Sequence, residues 1–416
     1  MKIATYQVER LTADTFAFSM GLTGTFARFG DRVICSVADR EWPLLMESAE
    51  TAEVKLTKLH EASEGEGLYS VVQIGNSFCR DQPDASVVLD RGRHLAVILD
   101  RERANSLLNE EPSDYVVRPL QGRETIFELV SSAAKKPVSE DWIKNLLATI
   151  SPQNVRTILE YLVSFPTRRS TTEYYLSAAR WSKHQLDMLG YATRLENISV
   201  SGQPSLNVIA EKYGHGTGER YVTVVTAHLD SINNDSTDPL APAPGADDNG
   251  SGSAALLEIA RVLSKHEGKG DLRLILFGGE EQVLQGSEYH VAHLSQAERQ
   301  RIKAVVNMDM VATVNSGNLL TVLLEGAPVS QHVIDGLAAA AARHTALVVN
   351  KSLYPGRSDH FPFIRADIPA VLTIEGYDNA NPNTHSEDDT LTHINYELLL
   401  SILRMNLAFV AESLDR

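Results

Sequence analysis

Cysteine is scarce in this chain of 416 residues: there are two, Cys35 and Cys79, both within the first hundred positions. A disulfide-stapled scaffold is therefore excluded, and neither residue has the paired Cys-x-x-Cys spacing of a structural zinc site. They read as two buried thiols or, in an oxidising compartment, as one disulfide. Basic charge is also short. There are 38 Lys and Arg against 54 Asp and Glu, a net charge of −16, which argues against nucleic acid and anionic membrane as partners. No uninterrupted apolar run reaches the ~18 residues of a membrane span. The most apolar segment, 398–410, carries Arg404 and Asn406 and reads as a packed helix. The N-terminal Met-Lys-Ile-Ala-Thr-Tyr lacks an apolar signal core. The chain as it stands is expected in the cytoplasm, or secreted or periplasmic if a leader was removed. A Gly-x-Ser-x-Gly elbow, which a serine hydrolase of α/β type would want, is missing. There is no internal repeat.

What is present is an ordinary globular composition, 43% hydrophobic and 22% charged, in a chain long enough for two domains. Short apolar or alternating runs between Gly, Asp and Pro predict strands over 15–20, 25–29, 32–37, 69–74 and 94–99. Residues 1–125 are accordingly expected to form a β-rich N-terminal domain: a pro-domain, a lid or an interaction module. The shift to Ser, Ala, Lys and Pro around 131–141 marks a linker over 126–141. Three- and four-residue spacing then predicts helices over 154–165 and 172–189. Beyond 190, strands (221–227, 272–277, 304–308, 319–324, 346–349, 370–374) interleave with helices (253–266, 287–293, 329–344, 360–364, 396–414). Residues 142–416 are expected to be an α/β domain whose mostly parallel, mixed central sheet is flanked by helices.

The polar residues fall at the ends of those strands. Strand 221–227 runs into His228-Leu229-Asp230, and 272–277 into Gly278-Gly279-Glu280-Glu281. Strand 304–308 runs into Asp309, and 370–374 into a loop with His385-Ser386-Glu387-Asp388-Asp389. After the first of these strands comes Gly245-Ala246-Asp247-Asp248-Asn249-Gly250-Ser251-Gly252, two adjacent acids ahead of a helix. Singly, each has an ordinary explanation: a satisfied histidine, a solvated acid pair, a helix cap. Ligands of open α/β sheets bind at the carboxyl ends of the strands, however, so His228, Asp248, Glu280, Glu281, Asp309 and His385 can meet in one crevice. Imidazole and carboxylate together suit Zn²⁺, with Mn²⁺ or Co²⁺ as substitutes. Asp230 and Asp389 are placed to hold the outer ring nitrogens of His228 and His385. His290 and His293 have no acids in register and read as structural, on a helix surface.

At these residues the sequence resembles the di-zinc leucyl aminopeptidase family, which shares its zinc exopeptidase fold with glutaminyl cyclases and glutamate carboxypeptidase II. The pieces that carry it are His228-Leu-Asp230-Ser, Gly245 to Gly252, Glu280-Glu281 with Gly286-Ser287, Met308-Asp309-Met310, Ser358-Asp-His360 and His385 to Thr390, with Phe165 to Thr172 upstream. The resemblance covers roughly 140–416 and implies two Zn²⁺ per chain. His228 and Asp309 would bind one and Glu281 and His385 the other, with Asp248 bridging and Glu280 as general base. Tyr354 and Tyr377 are candidates for a phenol near the metals. The implied reaction is removal of an N-terminal residue, apolar in the leading reading, from peptides with a free N-terminus. A glutaminyl cyclase, a carboxypeptidase using Arg357 or Arg365, and a binding module of the same fold are the alternatives. The sequence leaves the oligomeric state open.

Overall fold

The computed structural model describes residues 1–7, 23–51, 54–63, 65–109, 115–130 and 141–415. The strand expected over 15–20 and positions 131–140 of the expected linker lie outside the described residues. The chain divides into two compact units, Met1–Val130 with Tyr354–Arg357, and Ser131–Leu353 with Ser358–Arg416. Among the described residues no helix is long and apolar enough to cross a membrane.

The first unit holds nine strands among the described residues, in two sheets. One has the order β4–β1–β3–β2–β9, from β1 (Lys2–Gln7), β2 (Gly24–Phe29), β3 (Arg32–Val37), β4 (Leu56–Glu61) and β9 (Arg123–Val130). The other is antiparallel, β6–β7–β5–β8, from β5 (Glu66–Gln73), β6 (Ser86–Arg91), β7 (His94–Asp100) and β8 (Tyr115–Pro119). Three helices accompany them: α1 (Trp42–Thr51), α2 (Ser77–Asp81) and α3 (Arg101–Asn109). Strand β9 runs across position 126, where the linker was expected to start. Cys35 and Cys79 are both free, and burial pushes the Cys35 thiol up to about 12.

In the second unit the sheet order is β10–β11–β13–β12–β14–β17–β15–β16. Its core is four parallel strands: β12 (Val222–His228), β13 (Asp271–Phe277), β14 (Ile302–Met308) and β17 (Ala370–Glu375). Every residue of β12 is buried, as a strand covered on both faces requires. Its side chains divide by alternation: Val225 and Ala227 join the large core, while Val222 and Val224 pack with Val291 and Phe363 on the other face. β15 (Thr321–Glu325) pairs antiparallel with β17 and parallel with β16 (Val348–Ser352). On the far side β10 (Ala192–Val200) and β11 (Gln203–Lys212) form an antiparallel hairpin that the periodicity does not reveal. Its two-residue turn, Ser201-Gly202, has φ of 50° and 77°, the doubly positive geometry that suits the twist of a hairpin.

The helices are α4 (Asp141–Leu147), α5 (Pro152–Val163), α6 (Glu173–Met188), α7 (Gly252–Leu263), α8 (Gln285–His293), α9 (Gln296–Arg301), α10 (Gln331–His344), α11 (His360–Arg365) and α12 (Tyr396–Leu414). Ser151 caps α5 ahead of Pro152, and Thr172 caps α6 by accepting from the Tyr175 amide, the arrangement that small hydroxyl residues provide at helix starts. Helix α7 is buried on nearly every side, so it is a core helix rather than an amphipathic one. That burial fixes the loop in front of it, where Asp247 and Asp248 sit.

Candidate metal centre

The carboxyl ends of the four parallel strands form the site. His228 is the last residue of β12 and is 1% exposed. Its Nε2 lies 3.0 Å from Asp309 Oδ1 and 3.3 Å from Asp248 Oδ1. Its Nδ1 faces Asp230, 3.2 Å from the carbonyl and 3.6 Å from the carboxylate. Asp309 follows β14, and its second oxygen accepts from Ser358 Oγ at 2.7 Å. Ser358 in turn accepts from Asn307, whose side-chain oxygen accepts from Thr226. A buried relay thus fixes the rotation of Asp309.

Asp248 is brought in by the loop before α7. Gly245 has φ of 54°, and a Cβ there would come within 2.5 Å of the Ser231 side chain, so only glycine serves at that turn. Asn249 donates to the Met308 carbonyl and accepts from the Gly252 amide, tying the helix start to the end of β14. The two oxygens of Asp248 then point at different imidazoles. Oδ1 faces His228, and Oδ2 lies 3.0 Å from His385 Nε2. That same nitrogen is 3.0 Å from Glu281 Oε2. One carboxylate spans the gap between the rings, which puts them well inside the ~10 Å that two metals sharing a carboxylate allow.

His385 itself has φ of 58°, a left-handed conformation that histidine tolerates better than most side chains. Asn234 holds it there. The Asn234 amide donates to the His385 carbonyl at 2.8 Å, and its side-chain nitrogen lies 3.1 Å from Nδ1. With Nε2 given to a metal, Nδ1 carries the proton and the amide turns its oxygen to it. The position expected for Asp389 is therefore filled by Asn234. The Asp389 carboxylate instead accepts the backbone amides of Asp247 and Asp248, each at 2.9 Å, and so braces the loop. Tyr354 belongs to the first unit and bonds to Glu124. His290 is buried rather than on a surface, and its Nδ1 lies 3.1 Å from Glu196.

The donor set fits cations on three grounds. Donor atoms of His228, Asp248 and Glu281 all lie within 4.8 Å of one another. The 3.0–3.3 Å contacts match the edge of a tetrahedron about an ion at ~2.0–2.1 Å. Glu281 Oε1 and Asp230 Oδ2 are buried without a hydrogen-bond partner, and buried acids ordinarily need one. Protonation behaviour agrees. Burial raises Glu281 to about 7, against the pull of His385. Burial likewise pushes Glu280 well above the usual carboxylate range, opposed by His228 and reinforced by Asp309 and Asp359. Burial also works to raise Asp248, but hydrogen bonds from His228 and His385 outweigh it and hold the carboxyl below the usual range. Both imidazoles are raised well above normal although burial opposes it, because Asp309 and Glu280 face His228 and Glu281 and Asp248 face His385. The acid cluster draws in positive charge and holds protons where none is supplied otherwise. Metal must displace those protons, so zinc affinity should climb as pH rises through neutrality, read by chelator competition.

Sequence patterning assigned no support role to Ser358 or Asn234. Ser358→Ala should lower zinc affinity about 10–100-fold, measured by chelator competition, with the fold retained by circular dichroism.

Residues 207–410 match the family described as Peptidase family M28. Aminopeptidase YwaD of Bacillus subtilis is 34% identical over 208 residues, covering 48% of this chain and 43% of that protein. Leucine aminopeptidase 1 of Metarhizium robertsii is 30% identical over 302 residues, covering 67% of this chain and 74% of the relative. The chain thus spans less than half the length of the first relative and about three quarters of the second. Among solved structures, BSAP, a zinc aminopeptidase from Bacillus subtilis, is alike in fold at 19% identity, with a TM-score of 0.56 over 64% of this chain and 96% of that one.

Proposed function

This chain belongs to peptidase family M28, and we propose that it is a two-zinc aminopeptidase that removes an apolar N-terminal residue from peptides. The observation that carries the reading is the carboxylate of Asp248 shared between His228 and His385, each of which has its own acid, Asp309 and Glu281. The apolar preference draws support from the relative called a leucine aminopeptidase.

His228, Asp309 and Asp248 would hold one ion, and His385, Glu281 and Asp248 the other. When bound, the pair supplies Lewis acidity: it polarises the scissile carbonyl and brings a water's pKa near 7. The remaining work falls to the chain's own side chains. Glu280, half-buried beside the ligands and not one of them, takes the proton of the attacking water and passes it to the departing amine. Its raised affinity for a proton suits that transfer. Asp230, Asp248, Asp309, Glu280 and Glu281 make the site rich in carboxylates, which favours a substrate's amine end over its carboxylate end, hence an N-terminal over a C-terminal substrate. Asp230 and Asn234 keep the imidazoles oriented.

The test is a panel of aminoacyl-chromophore substrates assayed on enzyme as purified, after chelation, and after zinc is restored. Leucyl and methionyl substrates should be turned over, activity should vanish with chelator and return with zinc. Turnover that survives complete metal removal, or ring closure of N-terminal glutamine with one zinc per chain, would overthrow the reading.

A further inference from the structure

Arg168 lies between α5 and α6, and its side chain is fully buried. Its guanidinium donates to four backbone carbonyls: Nε to Leu229 at 2.8 Å, Nη1 to Leu162 at 3.1 Å and Pro244 at 2.5 Å, and Nη2 to Gly245 at 2.8 Å. Its own amide donates to Ser231 Oγ at 3.1 Å, and its carbonyl accepts from the Ser231 amide. Leu229 stands between His228 and Asp230. Gly245 is the left-handed turn three residues before Asp248, and Arg168 Nη2 is one of the atoms a Cβ there would meet, at 3.0 Å. The rigid guanidinium fork therefore spans the two loops that carry His228 and Asp248.

None of those four acceptors is a carboxylate, although a buried guanidinium ordinarily pairs with one. Burial lowers its pKa to about 10, and the negative groups that oppose this are Asp389, Asp230, Asp248 and Glu281. It remains a cation at neutral pH, facing the metal-site acids without occupying their oxygens. A carboxylate-paired arginine would remove ligand atoms from the site; one bonded to carbonyls leaves them free.

From this geometry we propose that Arg168 is a positioning residue of the metal centre: it clamps the Leu229 and Gly245 turns at the separation that lets Asp248 face both His228 and His385, and its charge offsets the acids around them. The inference rests on the two-ion reading above. Lysine keeps the charge but is a single flexible point donor that cannot span the four carbonyls, so it separates the two parts of the role.

The experiment compares the full chain with Arg168→Met and Arg168→Lys. Zinc affinity is measured by chelator competition, the unfolding midpoint on metal-free protein, and the visible absorption after Co²⁺ loading. Arg168→Met should bind zinc about 10–100-fold more weakly and show a shifted Co²⁺ band. Arg168→Lys should recover part of the affinity and keep the shifted band. Wild-type affinity and band in either folded variant, whatever happens to the unfolding midpoint, would reduce Arg168 to a packing role and overturn the inference. Should Arg168→Met fail to fold, the Lys variant decides alone by the same criterion. A wild-type chain that takes up no zinc would instead sink the metal-site reading, and this inference with it.

Discussion

Glu280→Gln is expected to leave zinc content unchanged and to lower kcat by about 10²–10⁴-fold, the range that a positioned general base contributes. The substitution keeps size and hydrogen-bonding capacity and removes only the ability to take a proton. The Glu280 backbone amide donates to Asp230 at 3.4 Å and its carbonyl accepts from Leu284; both bonds are untouched by the side-chain change, so the fold should not notice. KM should move little, since the proton is transferred in the transition state rather than in the bound substrate. Zinc by elemental analysis and kcat on a leucyl substrate check both halves. A variant with wild-type turnover would assign the base elsewhere, and Asp359, fully buried and pushed up to about 7 by burial, would be the next residue to test.

The second large effect is expected from Asp248→Ala. Removing this one carboxylate takes a donor from both ion positions and leaves two imidazoles with one acid each. The loss should exceed the ~10–100-fold typical of a supporting partner, so that the variant retains at most one zinc after gel filtration in metal-free buffer, with activity lost in proportion. Asp309→Ala and His385→Ala, by contrast, should each weaken one position. If Asp248→Ala kept two tightly bound zincs, the bridge would be wrong even though the other ligands stood.

Much of the second unit was legible because its signals are local. The four parallel strands were predicted within one or two residues of β12, β13, β14 and β17, since buried runs bounded by glycines and acids are read directly from the chain. The comparisons bear out the family and the fold class that the resemblance implied. The hairpin β10–β11 escaped because β10 is half-exposed and carries Arg194, Glu196 and Asn197 on a strand without clean alternation. Its turn dipeptide Ser201-Gly202 was the available signal. Asn234 could not have been found by spacing. It sits 151 positions from His385 and reaches it because the loop after β12 folds across the sheet end. Asp389 was misplaced for the complementary reason: nearness in sequence to His385 within one loop does not fix where a side chain turns, and its carboxylate goes to the Asp247 and Asp248 amides. Arg168 stood in the quoted Phe165 to Thr172 segment, yet nothing in the sequence says that its donors go to carbonyls.

The central claim is that one carboxylate serves two cations, and crystallographic anomalous scattering at the zinc edge tests it most directly. Two peaks ~3.5–4 Å apart, with Asp248 between them, His228 and Asp309 on one and His385 and Glu281 on the other, is the predicted result. A single peak, or a pair that does not touch Asp248, would contradict it.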